Sequence, residues 1–246
     1  GGSMMGTEFS DVMFGTPRPI DTEANIGVME KDNVNIVVHG HDPSLSEMVV
    51  YYANDPEMIA YAKSMGAKGI TVSGVCCTSN EVTMRHGIPM AGNYLNQENV
   101  VLTGACEAIV VDVQCIFPAL GPLSKCFHTK FITTSPIARI PDSEFIQFSV
   151  ESAGESAKAI VKMAIENFKN RNQELVNIPN QKQKARVGYS VEAIKGVLDT
   201  VANSQLDEFG TTKPLVECVH SGVLRGAVAM VGCNNPKVRP DTAHIG

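Results

Sequence analysis

Residues 68–80, KGITVSGVCCTSN, decide how the chain folds. An apolar, β-branched run stops at a small-residue turn, delivers two adjacent cysteines and leads directly into a helix start. Thr78 and Glu81 stand at the T-x-x-E spacing of a capping box. A buried strand, a polar loop and then a helix is the β-α unit of a parallel sheet. In open α/β sheets, functional groups collect in the crevice beyond the carboxyl ends of the strands. Cys76 and Cys77 fall there.

The same pattern recurs three times. Residues 34–38, VNIVV, run into His39-Gly40-His41. Residues 109–113, IVVDV, run into Gln114-Cys115, and residues 227–231, AVAMV, run into Gly232-Cys233-Asn234-Asn235. A single cysteine at a strand end is an ordinary small hydrophobe. Four apolar runs that each stop within three residues of a His or Cys point instead to a rim of ligands.

Composition narrows the class. A chain of 246 residues can bury a proper core in one or two domains. The 43% apolar and 19% charged content is that of a soluble globular protein, and a net charge of −6 gives no reason to expect nucleic acid or an anionic membrane. No apolar run approaches the roughly 20 residues of a membrane span, and no signal peptide is evident. Seven cysteines, an odd number without an export signal, argue against a disulfide framework and for a reducing, cytoplasmic setting.

In chain order, residues 1–32 read as a tag scar (Gly1-Gly2-Ser3-Met4) and a turn-rich lead-in with no periodicity. The middle domain, 33–170, holds the first three apolar runs. A helix opens after Asp42-Pro43-Ser44, with Ser44 and Glu47 at capping-box spacing, and restarts at Asp55-Pro56. Further elements are a helix over 96–103, a strand over 130–134 and an amphipathic helix over 151–168. The polar segment 171–185 reads as a linker. Residues 186–246 begin a second unit, with a helix over 190–201 and a strand over 226–231. One helix and one strand cannot close a core, so this second domain is expected to be cut short.

Donors at His41, Cys77, Cys115 and Cys233 suit soft metals: thiolates favour iron-sulfur clusters, zinc or copper(I), and imidazole suits iron, nickel and zinc. Structural zinc sites pair ligands two to four residues apart, and no such pairing of these donors occurs. Ligands this far apart need a preformed fold. The segments VNIVVHGHDPSLSEM, GVCCTSNEVTMRHGIPMAGN, VVDVQCIFP, CFHTKFITTSP and AMVGCNNPK resemble the anaerobic nickel-iron carbon monoxide dehydrogenases. The resemblance runs from about Phe14 to Val238. It implies an α/β fold: a Rossmann-like parallel sheet with flanking helices, followed by the truncated beginning of a second Rossmann-like domain.

The resemblance also implies a nickel-iron-sulfur cluster (Ni-4Fe-4S) that interconverts carbon monoxide and water with carbon dioxide, two protons and two electrons. His41 and Cys77 would hold an iron outside the cubane, while Cys115 and Cys233 would hold cubane irons. In the His-Gly-His and Cys-Cys pairs the second member is preferred each time, leaving His39, Cys76 and Asn234 as partners of the ligands. No catalytic residue beyond these ligands is expected. The family's N-terminal cubane domain and the later part of its third domain lie outside this chain, so the chain alone is expected to be inactive, and its cluster could be absent. A ferredoxin-like protein would accept the electrons.

Other classes are weighed beside this one. A nucleotide-binding module would need a G-x-G-x-x-G turn after the first strand, where the chain has His39-Gly40-His41-Asp42. A metal-free domain serving only association is a second alternative. The hydroxylamine-reducing hybrid-cluster proteins, a third, fit the wording of the motifs less well. Cys106, Cys126 and Cys218 are read as core residues, His86 and His220 as surface or cap residues, and His128 has no evident role.

Overall fold

A computed structural model describes residues 2–202 and 211–229. In chain order the elements are α1 (Gly2–Phe14), β1 (Ile20–Ala24), β2 (Val34–His39), α2 (Pro43–Ala53), α3 (Pro56–Ser64), β3 (Ile70–Val75), α4 (Cys76–His86), β4 (Met90–Gly92), α5 (Gln97–Leu102) and β5 (Cys106–Val111). They continue with α6 (Leu120–Ser124), β6 (Lys130–Thr133), β7 (Glu144–Phe145), α7 (Ala153–Asn167), β8 (Gln183–Val187), α8 (Val191–Ala202) and α9 (Lys213–His220).

The sheet order is β7-β6-β5-β2-β3-β4-β1-β8. The pairs β2–β3, β2–β5, β3–β4, β1–β4, β5–β6 and β6–β7 are all parallel. From β2 the chain builds outward through β3 and β4, then returns to the other side of β2 with β5, β6 and β7. The direction of winding therefore reverses between β2 and β5, which is the switch point where an α/β sheet opens a crevice.

Helices cover both faces, so the central strands are buried on both sides and read as near-continuous apolar runs. Val34, Ile36 and Val38 of β2 face a core built from α2, α3, α4 and α7, while Val37 faces the other layer with α5 and α6. In α7, Ala157, Ile160, Val161, Ala164 and Ile165 are fully buried at helical spacing. Each of its larger aliphatic side chains contributes about 1.5–3 kcal/mol by leaving water.

The chain divides into two compact units: Asp21–Ala185, and the described residues among 1–20 and 186–246. The first unit carries the sheet core. In the second, Ser190 at the start of α8 donates to the Pro17 carbonyl at 2.8 Å, and α8 contacts α9.

Several local expectations are corrected. The lead-in is not turn-rich throughout, for it contains α1 and the paired strand β1. Arg171, at the start of the expected linker, is buried and ion-paired, and the segment ends in β8. Helix α2 is capped by Asp42, which accepts from the Ser44 N–H at 2.9 Å, rather than by Ser44. Helix α4 begins at Cys76, two residues before the expected cap, and the Thr78 hydroxyl donates to the Asp42 carbonyl instead. Residues 226–229 form no strand, and Val228 is exposed. Residues 230 and 231 lie outside the described ones. Among the described residues no helix is long and apolar enough to cross a membrane.

Candidate metal centre

Three strand ends meet at the switch point. Strand β2 ends at His39, Gly40 turns with φ +128°, and His41 follows. A Cβ on Gly40 would stand 2.0 Å from Asp112 Oδ1, so only glycine permits this approach. Asp112 follows the end of β5. Its Oδ1 accepts from the N–H groups of His41 (2.7 Å) and Val113, and its Oδ2 from that of Asp42 (2.8 Å). Burial raises the carboxyl of Asp112 above the ordinary aspartate value, opposed by those three N–H groups.

The His41 ring is fixed as well. Its Nδ1 lies 3.0 Å from the Val113 carbonyl. A carbonyl only accepts, so Nδ1 carries a proton, and in the neutral ring the lone pair is then on Nε2. The turn is also stitched to α4, whose Thr78 N–H donates to the Gly40 carbonyl at 2.8 Å.

Strand β3 delivers Cys76 as the first residue of α4, with φ +70°. A close approach of α4 to β3 makes this possible: a Cβ on Gly74 would lie 2.3 Å from Ser79 Oγ and 2.7 Å from Ser79 Cα. The Cys76 thiol is pushed up to about 12, chiefly by burial. The neighbouring Cys115 and Cys77 thiols push the same way, against the Cys77 N–H. Beyond β5, Gln114 and Cys115 both adopt left-handed backbone, φ +64° and +58°, and the Cys115 side chain is exposed. Non-glycine residues rarely sit there, and such strain gathers at functional sites.

One ligand atom from each of His41, Cys76 and Cys115 lies within 4.8 Å of the other two. Imidazole with two thiols is a soft donor set for iron, nickel, zinc or copper(I). Among the described residues no cysteine is in a disulfide. The predicted meeting of His41 with Cys115 is therefore present. The third member of the compact group is Cys76, however; Cys77 is exposed and outside it. The cause is the early helix start. Cys76 takes its place there with left-handed backbone, φ +70°, and only one thiol of the pair enters the group.

His39 is fully buried, with Nε2 3.1 Å from Gln97 Oε1. Burial lowers the pKa of its ring below the ordinary value; Gln97 and the nearby carbonyls of Val75 and Cys115 oppose this, and His41 adds to it. Neither carbonyl makes a hydrogen bond to Nδ1, which has no partner. Cys233 and Asn234 lie outside the described residues. Of the cysteines read as core, Cys106 is buried, but Cys126 and Cys218 are exposed. Two participants escaped the sequence reading. Asp112 carried a signal, a lone carboxylate inside IVVDV, whereas Gln97 carried none.

The helix starts add electrostatics. Helices α2 and α4, each 11 residues long, begin immediately beyond His41 and at Cys76. Their N-terminal N–H groups favour anions, including thiolates.

Comparison with known proteins identifies the site's setting. The Prismane/CO dehydrogenase family matches residues 1–246. Carbon monoxide dehydrogenase 1 of Methanosarcina mazei is 51% identical over 245 residues, covering 100% of this chain and 37% of that protein. Carbon monoxide dehydrogenase of Rhodospirillum rubrum is 46% identical over 244 residues, covering 99% of this chain and 37% of the relative. The as-isolated, Ni-free crystal structure of carbon monoxide dehydrogenase from Thermococcus sp. AM4 superposes with a TM-score of 0.93 at 50% identity, covering 99% of this chain and 37% of that one. The chain thus spans little more than a third of the length of these relatives. By its sequence over its whole length and by its α/β fold, it belongs to the Prismane/CO dehydrogenase family.

Proposed function

We propose that this chain is the part of a nickel-iron carbon monoxide dehydrogenase that holds one side of the active-site cluster. The intact enzyme would interconvert carbon monoxide and water with carbon dioxide, two protons and two electrons. When bound, the cluster would supply the two-electron chemistry and the metal positions for the substrates. The observation that carries the reading is the meeting of His41, Cys76 and Cys115 within 4.8 Å at the ends of β2, β3 and β5.

The residues fit such a group. His41 offers Nε2 because Val113 holds the proton on Nδ1. Cys115 is accessible, and Cys76 is buried beside it. A group of three donors this compact suits one metal ion. A cluster has more metal positions to fill, and Cys77, exposed in the same turn, is a further thiol for it, with Cys233 another. The protein fixes the orientation of these donors through Asp112 and Gly40 and leaves the redox chemistry to the cofactor. The rest of the polypeptide and a ferredoxin-like acceptor would complete the electron path, in a cytoplasmic setting.

Anaerobic reconstitution with iron, nickel and sulfide tests this, read by metal and acid-labile sulfide analysis of the desalted chain. The expected result is retained metal in the wild type and its loss in His41→Ala and Cys115→Ala, with circular dichroism unchanged. Equal retention in all three proteins would refute the assignment.

A further inference from the structure

We propose that Gln97 is a positioning residue whose carboxamide fixes the left-handed turn that aims the Cys115 thiol at His41 and Cys76. Gln97 is the first residue of α5 and is fully buried. Its amide spends all its hydrogen-bonding capacity on that turn and its surroundings. Nε2 donates to the carbonyls of Cys115, at 2.9 Å, and Tyr94. Oε1 accepts from the Phe117 N–H at 2.8 Å and lies 3.1 Å from His39 Nε2.

The orientation of the amide follows from its partners. Carbonyl oxygens only accept and the Phe117 N–H only donates, so Nε2 must face Cys115 and Tyr94 while Oε1 faces Phe117. His39 then carries its proton on Nε2, completing two donors and two acceptors. Two of the bonds hold the chain just beyond the ligand: one goes to the carbonyl of Cys115 and one to the amide two residues later. The fourth ties the turn to β2, the strand that presents His41.

This arrangement explains how Gln114 and Cys115 keep φ values of +64° and +58° in a stretch without glycine. A relaxed, extended backbone would move the Cys115 carbonyl and the Phe117 N–H away from the amide and leave a buried polar group unmet. Asp112 holds the His41 side of the crevice through three N–H groups; Gln97 does the same for the Cys115 side. The link to metal binding rests on the ligand set proposed above. The clamp itself does not.

The test compares the 246-residue wild-type chain with Gln97→Met, which keeps the bulk and removes the polar atoms, and with Gln97→Glu. The glutamate keeps acceptors for Phe117 and His39 but loses both donors, so it provides a second variant should the methionine fail to fold. Hydrogen exchange of residues 112–118 is expected to accelerate about tenfold or more in Gln97→Met and less in Gln97→Glu, while β5 stays protected. Titration with cobalt(II), followed by thiolate-to-cobalt charge-transfer absorption, is expected to show affinity about 10–100-fold weaker, the usual effect of losing such an outer partner. Unchanged exchange in the loop, or an equal rise across the whole sheet, would overturn the clamp. Failure of the wild type to bind cobalt would instead count against the ligand set, with exchange still deciding the role of Gln97.

Discussion

The two ends of the central sheet treat buried polar groups in opposite ways. At the amino end, Glu107 of β5 and Arg171 form a fully buried pair with contacts of 2.6 Å and 2.7 Å. The same carboxylate accepts from the Asn35 N–H at 2.6 Å and meets His128 Nε2 at 2.8 Å. Arg171 also donates to the carbonyls of Lys31, Asn33 and Ala105 and stacks on the Phe168 ring at 4.5 Å. Charge and donors cancel within that cluster, so it is closed. At the carboxyl end, by contrast, an imidazole lone pair and two thiols converge with strained backbone at both cysteines. The Asp112 carboxylate there is spent on backbone N–H groups. The lesson is that burial alone does not mark a functional site; polar groups whose capacity remains open do.

The contrast can be broken at either end. The largest effect is expected from Arg171→Ala, which leaves the Glu107 carboxylate buried without its cation. Stability should fall by about 3–5 kcal/mol in urea unfolding, while folded molecules keep their metal affinity. If metal binding falls and stability does not, the two ends are not separate devices.

Next in size is the loss of a ligand. In the reconstituted chain, Cys115→Ala should lose metal, and comparing Cys76→Ala with Cys77→Ala identifies which thiol of the pair is used. A single bound ion should depend on Cys76 alone. If a cluster is held, Cys77→Ala should lower its iron content with the fold intact. Iron content indifferent to both substitutions would remove the pair from the ligand set.

Asp112→Asn should cost about 1–3 kcal/mol, because the introduced NH2 group must face a backbone N–H that the carboxylate had satisfied. Cobalt affinity should weaken about tenfold as the His41 turn loosens. Unaltered affinity would reduce Asp112 to a structural residue.

A pH slope tests the buried thiol without any substitution. With the Cys76 thiol raised to about 12 in the metal-free chain, this group is protonated at neutral pH and must release its proton on binding a metal. Affinity should then rise with pH, about tenfold per unit for each proton displaced, across the range below that value. A flat profile between pH 7 and 9 would show that the buried thiol is not a ligand.

Much of this was legible in the residues themselves. The runs 34–38, 70–75 and 109–111 are β-branched and apolar because their strands are buried on both faces, and turn residues mark their ends. That pattern placed His41, the Cys76-Cys77 pair and Cys115 on one edge. The closed cluster was not legible: Glu107, His128 and Arg171 are up to 64 positions apart, and nothing local distinguishes a paired buried arginine from one in a polar linker. His128, without a role in the sequence, has one as the partner of Glu107.

The sequence by itself determined the β-α alternation and the soft donors at the strand ends, since both follow from periodicity and residue chemistry along the chain. Only the tertiary structure decided which thiol of the pair turns inward, that Asp112 and Gln97 hold the two sides of the crevice, and that the opposite end is sealed by an ion pair. Those outcomes depend on where a helix starts to within a residue or two and on bonds between groups that meet only after folding. Local propensity fixes neither.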